Sequence, residues 1–320
     1  NFAGVKEDSL QNHMESKKKV SFTKMHGAGN DYVYVNAMEV IPDNLPHLSR
    51  QISDRHFGIG SDGLVVIMRS ETADFRMRMF NADGSEAEMC GNASRCIGKY
   101  VYEKGLTAKT VVTLETLAGI KVLRLEVVDG EVVTVTVDMG EPELRPAAIP
   151  VISSDSSAKI SEAETVGDNT YLITAVSMGN PHAVVFTDTL DDSLVCGDGP
   201  RLECAPIFPD RANIEFARII DRNTIEMRVW ERGSGETLAC GTGACATVVA
   251  AVLNGLADRH ATVRLLGGDL EITWDEKSNH VFLKGGAEFI ADGEFILRGE
   301  AGGTGESCKI CKVKKDENQR

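Results

Sequence analysis

Residues 236–253 read ETLACGTGACATVVAAVL, a glycine-rich turn that runs straight into a long apolar segment. A turn of small residues before a helix is typical of an anion site, because free N–H groups and the positive end of the helix dipole meet there. No Gly-Lys-Ser/Thr ending follows, as a phosphate loop would require. The turn instead opens on Cys240, so this segment predicts a thiol placed beside an anion site.

The same pattern stands 150 residues earlier in the chain. Residues 86–103 read EAEMCGNASRCIGKYVYE, which aligns Cys90 with Cys240. Internal repetition of this kind indicates repeated structural units. Further pairs at the same offset are Asn30 and Asn180, Gly63 and Asn213, Asn81 and Glu231, and Gly105 and Gly255. We therefore predict two similar halves that face each other.

Each half is predicted to combine short strands with one apolar helix. The segments KVLRLEVV (121–128) and EVVTVTVDM (131–139) alternate apolar and polar residues around a turn, which is typical of antiparallel sheet. The helices that follow Cys90 and Cys240 are apolar around most of their circumference, so sheet should enclose them. The predicted fold class is α+β, with two pseudo-symmetric domains, each a curled, mostly antiparallel sheet wrapped around a central apolar helix.

Three prolines between residues 142 and 150 place the domain boundary near residue 140. The polar or glycine-rich ends of the chain are predicted to be disordered. In the tail, Cys308 and Cys311 resemble half of a zinc site, without a second pair of ligands nearby. The predicted organisation is a disordered extension or tag at 1–19, an N-terminal domain at 20–140, a C-terminal domain at 141–287 and a flexible tail at 299–320.

The composition argues against a nucleic-acid or membrane protein. Of the 320 residues 42% are hydrophobic and 26% charged, and the formal net charge of −14 disfavours nucleic acid or an anionic membrane surface as partner. The longest strongly apolar stretch, residues 244–253, is far short of the roughly 20 residues that span a bilayer. Residues 1–20 contain no apolar core of a signal peptide. We expect a cytoplasmic protein whose eight cysteines are free thiols.

If the two halves face each other, Cys90 and Cys240 point into one cleft. A helix N-terminus favours the thiolate, so we expect both thiols to have a pKa below the usual value of about 8.5. One thiolate can then remove a proton from a carbon while the opposing thiol delivers a proton to its other face, which inverts the centre. This chemistry suits an amino acid α-carbon and needs no cofactor, provided that the carboxylate charge is stabilised. The two helix ends, at Gly91-Asn92 and Gly241-Thr242, would supply that stabilisation.

The halves differ where substrate specificity should lie. Asn81-Ala82 in the first half becomes Glu231-Arg232 in the second, which favours a substrate with a second carboxylate and a second ammonium group. Asn30, Asn81, Asn180 and Asn213 can each donate and accept hydrogen bonds, as a zwitterionic end group requires.

Four motifs in this order resemble the diaminopimelate epimerases, which are cofactor-independent two-cysteine isomerases: KMHGAGNDY (24–32), FNADGSEAEMCGNASRC (80–96), MGNPHAVVF (178–186) and WERGSGETLACGTGACA (230–246). The resemblance covers roughly residues 20–298. It implies interconversion of LL- and meso-diaminopimelate on the lysine and cell-wall route, by a homodimer without cofactor or metal. It also implies that the last strand, 288–298, returns to the N-terminal domain.

The resemblance assigns roles to individual residues. It makes Cys90 and Cys240 the acid/base pair, with His182 and Glu231 tuning the two thiols. It makes these residues the substrate contacts: Gly91, Asn92, Gly241 and Thr242 at the α-carboxylate, and Asn30, Asn81, Asn180, Asn213, Glu231 and Arg232 at the rest of the molecule. Two positions depart from the family: Ala93 stands where Gly is more common, and Gly63 stands where some members carry Gln.

Two other functions compete with this interpretation. The first is a two-thiol racemase of another amino acid, such as histidine, against which Glu231-Arg232 argues. The second is a thiol protein in which Cys90 and Cys240 form a regulatory disulfide or bind metal. Neither cysteine belongs to a CxxC pair, which disfavours that alternative. Cys96 and Cys245 lie within the apolar helices and are predicted to be core residues.

Overall fold

A computed structural model describes residues 19–298. The chain divides into two units, Val20–Phe295 and a second made of Asn1–Lys19 and Ile296–Arg320. Of the second unit only residues 19 and 296–298 are described. The predictions for residues 1–18, for the tail at 299–320 and for its two cysteines fall outside the described residues.

The first half contains eight strands and two helices. They are β1 (Lys19–Gly27), β2 (Asn30–Asn36), α1 (Leu45–Ser53), β3 (Gly63–Met68), β4 (Phe75–Asn81), β5 (Glu86–Ala87), α2 (Gly91–Glu103), β6 (Val111–Thr116), β7 (Gly119–Val128) and β8 (Glu131–Asp138).

The second half repeats this order after a short 3₁₀ turn at Pro146–Ala148. Its elements are β9 (Glu162–Val166), β10 (Asn169–Ser177), β11 (Pro181–Phe186), a π-helical turn (Ser193–Asp198), α3 (Gly199–Glu203), β12 (Asn213–Asp221), β13 (Thr224–Glu231), β14 (Gly235–Thr237), α4 (Gly241–Leu253), β15 (His260–Leu265), β16 (Gly268–Trp274), β17 (Val281–Gly285) and β18 (Glu288–Ile296).

Strand pairing repeats between the halves. Most neighbouring strands are antiparallel, and the parallel pairs β2–β3 and β4–β6 recur as β11–β12 and β13–β15. The register recurs as well, since Tyr32 pairs with Gly63 and His182 pairs with Asn213. The predicted α+β class is therefore confirmed. Strands β8 and β17 pair with each other and join the two halves into one hydrogen-bonded network.

The two central helices also match. Helices α2 and α4 have 13 residues each and start 150 residues apart. Each is followed by a glycine with positive φ, 72° at Gly105 and 70° at Gly255, a conformation that closes a helix C-terminus at no steric cost to glycine. The spacing of the repeat therefore reflects two copies of one strand–turn–helix unit.

Both helices are enclosed by sheet, and their buried faces belong to one continuous hydrophobic core. Ile97 of α2 and Val248 of α4 are fully buried, and full burial of such a side chain stabilises the fold by about 1.5–3 kcal/mol. Cys96 and Cys245 are also fully buried, which confirms them as core residues. Within residues 19–298, no helix has both the length and the apolar character that crossing a bilayer requires.

The last strand lies against the first. Strand β18 pairs with β1, as β9 pairs with β10 in the second half. Thr23 of β1 donates a hydrogen bond to Asp292 at 2.5 Å, and Lys104 at the end of α2 forms an ion pair with the same carboxylate at 2.8 Å. The first half thus takes its outer strand from the far end of the chain. The domain boundaries themselves stay a prediction.

Candidate active site

The starts of the two central helices meet. Cys90 and Cys240 are the N-cap residues of α2 and α4, both with extended backbone. A Cβ atom placed on Gly241 would lie 4.0 Å from the Cα atom of Gly91 and 3.7 Å from Asn92 Oδ1. The positive ends of two helix dipoles therefore converge on one point, where a carboxylate would be stabilised from both sides.

Cys90 lies beside an asparagine pair. Its thiol donates to Asn30 Oδ1 at 3.5 Å, and Asn92 Nδ2 donates to the same oxygen at 3.3 Å. Asn30 in turn donates to Asp62 at 2.8 Å, so the loop before β3 fixes its orientation. Asn92 Oδ1 is buried and has no hydrogen-bond partner among the described residues. These contacts bring Asn30, Cys90 and Asn92 together, as predicted from their separate motifs.

Cys240 is backed by an imidazole and a carboxylate. Its sulfur accepts a hydrogen bond from the backbone N–H of Gly243 at 3.3 Å and lies 3.5 Å from the hydroxyl of Thr242. His182 and Glu215 are both fully buried, and the nearest donor atoms of these two residues and of Cys240 lie within 4.8 Å of one another. The second half therefore surrounds its thiol with ionisable groups.

The distance between His182 and Glu215 is that of a hydrogen bond and is short for two ligands of one metal ion. His182 Nδ1 and Glu215 Oε1 are 2.7 Å apart, which is a hydrogen-bond distance. Two tetrahedral ligands at about 2.0–2.2 Å from one zinc ion would be separated by more than about 3 Å. The other ring nitrogen, Nε2, lies 2.9 Å from Asn180 Oδ1. The expected absence of metal and cofactor stays a prediction.

The expected lowering of the Cys90 pKa is wrong. Burial raises the pKa of this thiol, and the backbone N–H groups of Ala93 and Asn92 lower it only in part. The charge of Arg95, a buried residue further along α2, also acts to lower it. Desolvation of the anion outweighs the helix end, so Cys90 is a neutral thiol at neutral pH before substrate binds.

The pKa of Cys240 departs further from the expected lowering. Burial is again the main cause, and it raises the pKa of the thiol well above its usual value. The negative charges of Glu231 and Glu215 raise it in the same direction, while Thr242 and Gly243 lower it. Cys240 is therefore the harder of the two thiols to ionise.

Glu231 influences both halves of the site. Its carboxylate accepts a hydrogen bond from the Thr237 hydroxyl, and burial raises its pKa. Its charge acts to raise the pKa of both Cys90 and Cys240, and His182 acts to lower the pKa of Glu231 itself. Glu231 thus lies within electrostatic reach of both thiols.

Asn213, Arg232 and Asn81, the remaining predicted substrate contacts, have different hydrogen-bond partners. Asn213 donates to Pro181 O and accepts from the backbone N–H of Arg232, both at 2.9 Å. The guanidinium of Arg232 is exposed and donates to Asp210 O at 3.1 Å. The side-chain amide of Asn81 donates to the Ser85 hydroxyl within its own turn. No described hydrogen bond ties Asn81 to either cysteine.

Gly63 is a glycine for steric reasons. A Cβ atom there would lie 2.1 Å from Phe80 O and 2.9 Å from the Tyr32 ring. The first half therefore has no side chain where the second half has Asn213, and the departure from the family pattern at this position follows from close packing of β3 on β4.

Sequence reasoning missed Glu215. It lies in β12, within the segment ANIEFA (212–217), and its position 150 residues earlier is Val65. A single acidic residue inside an apolar strand, at a place where the repeat has valine, is the signal that could have identified it.

The chain is similar to proteins of known sequence over nearly all of the described residues. The sequence model of the diaminopimelate epimerase family matches residues 22–145 and 174–290. A diaminopimelate epimerase of Acetivibrio thermocellus is 58% identical over 276 residues, covering 86% of this chain and 98% of the relative. One from Methanococcus maripaludis is 55% identical over 278 residues, covering 87% and 100%.

Two solved structures share the fold. A hydroxyproline epimerase from Agrobacterium vitis superposes with a TM-score of 0.64 at 14% identity, covering 89% of this chain and 94% of that one. A phenazine biosynthesis protein from Bacillus anthracis superposes with a TM-score of 0.63 at 17% identity, covering 88% and 100%. At these identities the likeness concerns the fold alone.

Proposed function

The chain belongs to the diaminopimelate epimerase family, and from this premise we propose that Cys90 and Cys240 exchange protons with the α-carbon of diaminopimelate. The activity is that of a diaminopimelate epimerase, an isomerase of lysine biosynthesis that works without pyridoxal phosphate. The observation that supports the residue assignment is the meeting of two helix N-termini, each opened by a thiol.

The α-carboxylate would bind between these helix ends. The two helix starts lie close together, so backbone N–H groups at Gly91-Asn92 and at Gly241-Thr242 would stabilise negative charge between them. When the α-proton leaves, charge spreads onto this carboxylate. Donors already in place stabilise it without reorganisation, as in an oxyanion hole.

The proton transfer needs one thiolate and one thiol. The C–H bond breaks as an S–H bond forms on one face, and the opposing S–H bond breaks as a new C–H bond forms on the other. Both thiols are neutral before substrate binds, so one of them must first lose its proton to solvent. Cys90, whose pKa is raised less, is assigned as this first base, and Cys240 as the first acid. After one turnover the roles are exchanged, which makes the reaction reversible.

The rest of the substrate would contact polar and charged side chains near the thiols. Asn30, Asn81, Asn180 and Asn213 offer amide donors and acceptors, while Glu231 and Arg232 offer one charge of each sign. This set matches a second amino-acid end group on the substrate. A racemase of histidine would not need this combination, and a regulatory disulfide protein would not need two helix ends directed at one point.

The cellular setting follows from the thiols. All six described cysteines are free, and catalysis by Cys90 and Cys240 requires them to stay reduced, which supports a cytoplasmic location. The expected homodimer stays a prediction, which sedimentation equilibrium would test.

Incubation of the purified protein with diaminopimelate in D₂O tests the function. Deuterium should enter the α-position without added pyridoxal phosphate, and Cys90→Ser and Cys240→Ser should each abolish epimerisation. Exchange on a different amino acid, with none on diaminopimelate, would overturn the substrate assignment. Full turnover by either serine variant would overturn the two-thiol mechanism.

A further inference from the structure

The two thiols stand in chemically different surroundings although the backbone around them is repeated. Cys240 faces three ionisable side chains, one from each of three neighbouring strands: His182 of β11, Glu215 of β12 and Glu231 of β13. The corresponding positions of the first half carry no imidazole–carboxylate pair. By the offset of 150, Tyr32 replaces His182, Val65 replaces Glu215 and Asn81 replaces Glu231.

Glu215 is held tightly in place. Its side chain is fully buried, Oε1 lies 2.7 Å from His182 Nδ1, and Oε2 has no hydrogen-bond partner among the described residues. A Cβ atom on Gly243 would lie 2.6 Å from Oε1, so the carboxylate fills the space that a side chain at the first turn of α4 would need. The first half has Ala93 at that position, opposite the smaller, uncharged Val65.

A carboxylate in this position determines the state of the imidazole. The Glu215 carboxylate can only accept a hydrogen bond. The bond that it shares with His182 therefore fixes a proton on Nδ1 and orients the ring. An unpaired buried carboxylate is strongly unfavourable, so the 2.7 Å hydrogen bond to His182 stabilises Glu215 in its buried position. Without the carboxylate, an imidazolium beside Cys240 would favour the thiolate, as it does in cysteine proteases.

We propose that Glu215 is a positioning residue that orients and neutralises His182, so that Cys240 meets the substrate as a thiol and is the first proton donor. The proposal rests on the proposed function and deepens it, because it assigns part of the difference in acidity between two otherwise equivalent cysteines to one carboxylate. It concerns a residue that acts on Cys240 through His182 and by its own charge, and that does not touch the substrate.

Alkylation of each cysteine as a function of pH tests this directly. Iodoacetamide labelling followed by peptide mass mapping reports the ionisation midpoint of Cys90 and of Cys240 separately in one sample. In Glu215→Gln, which keeps the shape and removes the charge, the Cys240 midpoint should fall by about one to two pH units. The Cys90 midpoint should stay within about 0.3 units. Glu231 is unchanged in this variant, so its contribution cancels.

Two further variants separate charge from packing. Glu215→Asp restores the carboxylate and should return the Cys240 midpoint toward the wild-type value. His182→Gln removes the imidazole, so no cation remains beside the sulfur and the Cys240 midpoint should not fall, in contrast to Glu215→Gln. Circular dichroism identifies the folded variants, and the contrast between the two substitutions keeps the proposal testable with either member of the pair.

An unchanged Cys240 midpoint in folded Glu215→Gln would overturn the proposal, and so would an equal shift at both cysteines. The wild-type D₂O exchange assay distinguishes this failure from that of the function. Exchange on diaminopimelate with an unchanged midpoint refutes the role of Glu215 alone. A shifted midpoint without exchange on diaminopimelate retains the electrostatic role and refutes the substrate.

Discussion

Replacing Gly243 with alanine should disturb the imidazole–carboxylate pair from the opposite side. The new methyl group would lie 2.6 Å from Glu215 Oε1 and 3.2 Å from Cys240 Sγ. Since ordinary van der Waals contact begins near 3.4 Å, the carboxylate must move by roughly 0.8 Å. A displacement of this size lengthens or bends its 2.7 Å hydrogen bond to His182, and such bonds weaken steeply away from their preferred geometry.

The expected magnitude follows from this lost contact. A hydrogen bond to a charged group contributes about 1.5–3 kcal/mol, which corresponds to a roughly ten- to hundredfold lower kcat/KM. The free energy of unfolding should also fall, because the lost hydrogen bond stabilises the folded state. Alanine is favoured over glycine inside a helix by about 1 kcal/mol, and this offsets part of the about 1–3 kcal/mol that overpacking costs.

Ala93→Gly is the matched control, because it exchanges the same two residue types at the equivalent position of α2. It should lower the free energy of unfolding by about 1 kcal/mol with at most a few-fold effect on kcat/KM. α-Proton exchange in D₂O and thermal unfolding measure the two quantities for each variant. A Gly243→Ala protein with kcat/KM within twofold of wild type would contradict a catalytic effect of the His182–Glu215 hydrogen bond. When Gly243→Ala is combined with Glu215→Gln, kcat/KM should fall little further, because both substitutions disrupt the same interaction of residue 215.

Three other predictions follow from the same geometry. Mild oxidation should link Cys90 to Cys240 and stop activity until reductant is added; an oxidised, inactive protein with both thiols free by peptide mapping would contradict this. Both thiols have a raised pKa in the folded protein, so the folded state keeps protons that the unfolded state loses, and the free energy of unfolding should fall as the pH rises above about 8.5. Urea titrations at several pH values should show a shallower fall when both cysteines are replaced by serine. Gly63→Ala would place its methyl group 2.1 Å from Phe80 O, which should lower the free energy of unfolding by about 1–3 kcal/mol or more; an unchanged urea midpoint would argue against that packing.

Most of the fold prediction depended on the constant offset of 150 residues between the two halves. A duplicated unit keeps both its spacing and its strand register, so the alignment of Cys90 with Cys240 also aligned the helix starts. The pairing of Gly63 with Asn213 in sequence reappears as equivalent register positions in β3 and β12. Sequence could predict these features because they depend on the local order of residues.

The ionisation of the thiols could not be predicted in the same way. A helix N-terminus is visible in sequence, but the depth at which the tertiary fold buries its first residue is not. Burial reversed the expected sign for both cysteines. Glu215 was missed for a related reason. Comparing the two halves identifies the features that they share, whereas Glu215 aligns with Val65 and is a feature in which they differ.

The pairing of β18 with β1 has a consequence for biosynthesis. A chain emerging from the ribosome presents β1 to β8 before β18, which covers the outer edge of β1 and comes last among the described strands. The partner of β8, β17, directly precedes it. The N-terminal half therefore has two unpaired strand edges until β17 and β18 have been made, and such edges invite association between nascent chains. Each newly made molecule can close both edges only after β18 has left the exit tunnel.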